Sequence, residues 1–69
     1  MTDKEHILNL NNLECYIVPK SDYGKAEIYL INETYFLFSI PEFGGNPVFE
    51  KAFNEHNIDE MIALYESWT

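Results

Sequence analysis

KAEIYLINETYFLFSI, residues 25–40, is two runs dense in Ile, Leu, Tyr and Phe that meet at Asn32-Glu33. Such residues fit a pleated, half-buried surface, so Ala26–Ile31 and Thr34–Ile40 read as paired strands. Asn32 tolerates the left-handed backbone that a two-residue hairpin turn requires. A two- or four-residue loop sets Leu30 opposite Tyr35 and Ile28 opposite Leu37, whereas a three-residue loop with a bulge would shift that register. The expected pairing puts Ile28, Leu30, Tyr35 and Leu37 on one face and Tyr29, Ile31, Phe36, Phe38 and Ile40 on the other. A sheet with one wet face alternates apolar with polar residues. Here both faces are apolar, and each needs a cover.

Outward from the hairpin, Leu13–Val18 reads as a strand ended by Pro19, and Lys20–Gly24 as the turn that returns it to Ala26. Residues 1–6 are charged and expected to fray, and 7–12 leave strand and helix open. On the other side, Pro41–Pro47 breaks regular structure. Val48–Phe53 is either a strand or a helical turn, with the strand favoured. Ile58–Trp68 is the clearest helix. Asn57 stands as its N-cap with Glu60 as capping-box partner, and Ile58, Met61, Ile62, Tyr65 and Trp68 form one apolar stripe with Leu64 on its edge. The stripe is expected to pack across the Phe36/Phe38/Ile40 face. The fold class that follows is α+β over residues 1–69, one domain. It comprises a three- or four-stranded antiparallel meander with one C-terminal amphipathic helix on one face.

Charge narrows the function. Twelve acids face four lysines and no arginine, for a net of −8 over 69 residues. Five acids and three lysines lie in 1–32, and seven acids with one lysine in 33–69. Phosphate binding needs Lys or Arg, so direct nucleic-acid binding is not expected, and a basic protein is the electrostatic complement. The single cysteine, Cys15, excludes an internal disulfide framework and fits a reducing, cytoplasmic setting. The sequence shows neither a signal-peptide pattern nor an apolar run of membrane-spanning length. The eleven aromatic residues supply the core that so short a chain needs.

Chemistry-bearing patterns are sparse. His56, Asp59 and Glu60 bracket the helix start and could ligate a metal, but capping and the helix dipole already account for both acids. Cys15 sits in an apolar strand, which suits a structural thiol better than a nucleophile. Gly44-Gly45 lacks the following Lys-Ser/Thr of a phosphate loop. No catalytic constellation, metal or cofactor is expected. Glu50, Glu55, Asp59 and Glu66 are the candidate partner-binding residues, and the Ile28/Leu30/Tyr35/Leu37 face is a candidate homodimer interface.

The hairpin within Ile28–Ile40, the Pro41-Glu42-Phe43-Gly44-Gly45 turn and the Ile58-Asp59-Glu60-Met61-Ile62 helix start resemble, in outline, the small antitoxins of the HicB type. That resemblance spans 28–65 and implies an acidic sheet-and-helix protein paired with a basic toxin. The residues themselves point first to a small acidic inhibitor, encoded by a phage or mobile element. Its carboxylates would block the nucleic-acid-binding surface of a bacterial defence protein such as a CRISPR nuclease complex. An antitoxin and a structural homodimer module are the alternatives.

Overall fold

The computed structural model describes residues 2–20 and 24–68, in the order α1 (Asp3–Leu8), β1 (Cys15–Lys20), β2 (Gly24–Ile31), β3 (Thr34–Ile40), β4 (Val48–Phe53), a 3₁₀ turn (Glu55–Asn57) and α2 (Ile58–Glu66). The strands form one antiparallel sheet in sequence order, β1-β2-β3-β4. The expected α+β meander with a C-terminal helix is the fold observed. The turn expected at Lys20–Gly24 falls largely outside the described residues.

The central hairpin has the expected register. Leu30 pairs with Tyr35 and Ile28 with Leu37 across a two-residue turn. Asn32 (φ 49°) and Glu33 (φ 67°) are both left-handed, as a turn matching the right-handed strand twist demands. Asn12 Oδ1 accepts the Asn32 N–H at 2.8 Å, tying the preceding loop to this turn. Glutamate carries a steric cost at positive φ that glycine does not. Glu33→Gly is therefore expected to raise stability by about 0.5–1 kcal/mol. A lower denaturation midpoint for that variant would contradict the turn geometry.

β1 begins and ends later than its sequence suggests. Leu13 is not in the strand: at φ 72° it turns the chain, and its N–H donates to the Leu30 carbonyl at 2.6 Å. Pro19 lies inside β1 and not beyond it, which is tolerated because β1 is an edge strand. Gly24 (φ 85°) opens β2 where a Cβ would collide with the Ile40 carbonyl oxygen, so only glycine fits there.

Two corrections concern what covers the sheet. Residues read as frayed charge and ambiguous Asn-rich chain contain α1, closed by a capping box. Thr2 Oγ1 accepts the Glu5 N–H at 3.2 Å, and the Glu5 carboxylate accepts the Thr2 N–H. Both helices cover the Ile28/Leu30/Tyr35/Leu37 face, not the Phe36/Phe38/Ile40 face. Ile7 of α1 and Ile58, Met61 and Tyr65 of α2 join Ala26, Ile28, Tyr35, Leu37 and Phe53 in one buried cluster. Ile28 and Leu37 are fully buried, so the face proposed for self-association is internal core. The side chains suggest why. Small Ala26 and flat aliphatic residues offer a shallow bed for two short helices, whereas the rings opposite pack against one another.

α2 is capped differently from its sequence pattern. Asn57 makes no side-chain cap, and its Nδ2 donates to Glu60 Oε2 at 3.1 Å. The cap belongs to Asn54, whose Oδ1 accepts the His56 N–H at 2.8 Å at the start of the 3₁₀ turn leading into α2. Trp68 follows the end of α2 and packs half-buried at the margin of the core.

Candidate functional site

The four candidate carboxylates do not form one patch. Glu50 lies on β4, where its Oε2 accepts from Ser39 Oγ at 2.6 Å. It borders a 490 Å³ cleft with Glu42, Phe43, Ser67 and Trp68 at the far end of the sheet. Glu55 begins the 3₁₀ turn and shares a second cleft with Glu33, Tyr35 and His56. Burial first, and Glu55 second, raise the Tyr35 hydroxyl above its ordinary range. Glu66 is exposed on the last turn of α2. Asp59, on its first turn, is engaged by Lys4 of α1 at 3.1 Å. With both side chains largely in solvent, that pair adds little stability. It does spend the only side-chain ion pair found among the described residues on holding the two helices together.

The more organised surface is the face that the helices leave open. β-register places Cys15 and Ile17 of β1, Lys25, Glu27, Tyr29 and Ile31 of β2, and Phe36, Phe38 and Ile40 of β3 on that side. β4 adds Phe49 through a bulge. Leu37 pairs with Lys51 and Phe38 with Phe49, so Glu50 is the extra residue. Without it, Phe49 would sit opposite Ser39 on the helix side. With it, Phe49 meets Phe38 edge-on at 5.6 Å and Phe36 at 6.2 Å, while Tyr29 meets Phe38 edge-to-face at 5.7 Å. Such tilted geometries suit ring quadrupoles. Phe49 is nevertheless 54% exposed and Ile17 46%.

One acid stands among these rings. Glu27 pairs with Phe38 across the β2–β3 ladder, and its Oε1 accepts from the Tyr29 hydroxyl at 2.8 Å. That bond, reinforced by burial, pushes the Tyr29 hydroxyl up to about 12. Burial also raises the neighbouring Cys15 thiol, so it stays protonated near neutrality. The half-exposed Cys15 lines the open face and is not a core residue. Among the described residues no group of three or more His, Cys, Asp and Glu side chains is placed to hold a metal ion. No described helix is long and apolar enough to cross a membrane.

Sequence reasoning named Tyr29, Phe36 and Phe38 as one face but did not single out Glu27 or reach Phe49. Glu27 could have been found, being the only acid inside either hairpin strand and alternating with Tyr29. No protein-family model matches the chain, and no curated protein or solved structure matches it significantly.

Proposed function

We propose that this chain is a small acidic protein-binding inhibitor that occupies a basic, nucleic-acid-binding surface of a bacterial protein, with its carboxylates standing in for phosphates. One observation carries the reading: the acids, several of them hydrogen-bonded within the fold, are left almost entirely without cationic partners. Of the eleven acids among the described residues, only Asp59 is ion-paired, and Glu50, Glu55 and Glu66 are exposed. Unneutralised carboxylates at both ends of the molecule project a field that accelerates encounter with a cationic surface. Asp59 is a poor residue to test, because its reversal would also disturb the α1–α2 contact.

Affinity capture from bacterial lysate across a salt series checks the proposal, comparing the parent with a Glu50/Glu55/Glu66→Gln variant. The parent is expected to retain basic nucleic-acid-binding proteins, to release them steeply as salt rises, and to lose them to added duplex DNA. The variant should retain much less while remaining folded, since none of the three side chains is buried. Retention that ignores both salt and DNA competitor would sink the reading.

A further inference from the structure

We infer that the open face is a receptor for an arginine or lysine side chain presented on an extended apolar segment of a protein partner, with Glu27 as its counter-ion. This rests on the reading of the chain as a protein-binding module and names the chemistry of one contact. A 400 Å³ groove runs over β2 and β3, lined by Glu27, Tyr29, Ile31, Phe36, Phe38 and Pro47. Its lining is apolar except for the Glu27 carboxylate and the Tyr29 hydroxyl that bonds it. Tyr29 engages Oε1, leaving Oε2 without a hydrogen-bond partner among the described residues.

That carboxylate decides the occupant. An apolar surface closing over Glu27 would strip water from an unpaired charge, which is strongly unfavourable unless a cation replaces the water. A guanidinium meets both demands of the groove: its planar fork bonds a carboxylate, and its faces stack on aromatic rings. A second copy of this chain fits poorly, because each copy carries −8 and would bring its own Glu27 to the interface. Lys25, the only cation that the described register places on this face, lies at its end opposite Ile40 and Pro19 and makes no ion pair with Glu27.

The probes are two capped pentapeptides, Val-Arg-Val-Arg-Val and Val-Gln-Val-Gln-Val, titrated into the full chain and followed by NMR and calorimetry. The arginine peptide is expected to bind about tenfold more tightly than the glutamine peptide and to shift the Tyr29, Phe36 and Phe38 ring resonances. Glu27→Gln, which keeps an acceptor for the Tyr29 hydroxyl, should lose about that tenfold preference. The peptide comparison on the parent protein stands even if the variant folds poorly. Equal binding of the two peptides, ring resonances that do not move, or sedimentation showing a dimer that buries these rings would each overturn the inference.

The Glu50/Glu55/Glu66→Gln variant separates the two proposals. If it loses the arginine preference while Glu27→Gln keeps it, general acidity is the cause, and the groove proposal falls while the inhibitor reading stands. If Glu27→Gln alone loses it, but DNA never displaces captured proteins, the groove stands and the nucleic-acid-surface reading falls.

Discussion

Replacing Leu37 with lysine is expected to leave no folded protein at room temperature. Leu37 is fully buried at the centre of β3, beneath both helices and beside Ile28 and Phe53. Losing a packed leucine alone costs about 2–5 kcal/mol. An ammonium forced into the same space has no partner and adds several kcal/mol more. A core of this size supplies roughly 3–5 kcal/mol of net stability, so the substitution exceeds what the domain has. Leu37→Met, which preserves volume, should cost less than about 1.5 kcal/mol. Circular dichroism and one-dimensional NMR distinguish these outcomes, and a folded Leu37→Lys monomer would mean that the helices lie elsewhere.

The second large effect belongs to Asp3. One carboxylate oxygen accepts from the Tyr16 hydroxyl at 2.8 Å and the other from the Tyr65 hydroxyl at 2.7 Å. His6 stacks on the Tyr16 ring at 5.0 Å, so α1 is held to β1 by two contacts of different kinds. Tyr65 is fully buried, and without Asp3 its hydroxyl would lose the partner that justifies its burial. Asp3→Ala is therefore expected to cost about 2–3 kcal/mol, and Asp3→Asn, which keeps an acceptor, clearly less. For a chain of this length, each kcal/mol moves the melting temperature by roughly 4–8 °C. Equal melting temperatures for Asp3→Ala and the parent would rule the clasp out.

The same clasp sets the alkaline limit. Burial first, and then Asp3, raise the Tyr65 hydroxyl far above its ordinary value of 10.0. The bond to Asp3 raises Tyr16 as well, with burial behind it. Both groups are held neutral in the fold, so their contribution is complete below pH 10 and is lost as pH rises beyond it. Above that point Tyr65 alone should remove about 1.4 kcal/mol of stability per pH unit. Denaturant titrations between pH 9 and 11.5 should show this slope in the parent and a shallower one in Tyr65→Phe.

How much of this was legible depends on how local each signal is. The Asn32-Glu33 turn and its register could be read because turn length and strand alternation are properties of a few adjacent residues. α2 was legible from its apolar spacing. Its cap was not, because the preceding 3₁₀ turn moves that role from Asn57 back to Asn54. α1 was missed although Thr2-Asp3-Lys4-Glu5 carries the capping-box pattern. Six residues with one buried side chain, Ile7, leave almost no periodicity to detect. Which sheet face the helices take was undetermined by alternation alone, since both faces are apolar. The aromatic face was half visible: Tyr29, Phe36 and Phe38 follow from parity, but Phe49 arrives through a bulge at Glu50 that strict alternation would deny.

The clasp also separates this molecule's contacts by the length of chain they must close. Every ladder in the sheet joins neighbours in sequence, so each closes a short loop at small entropic cost. The Tyr65–Asp3 bond spans 62 residues. The meander can therefore assemble from its turns, strand upon strand, while α1 has no complete seat until α2 has docked. A protein built this way concentrates its slow, long-range step in the seam between its helices, where the Tyr65–Asp3 bond, the Lys4–Asp59 pair and Ile7 meet, and the two helices act as a latch on a sheet that is otherwise zipped locally.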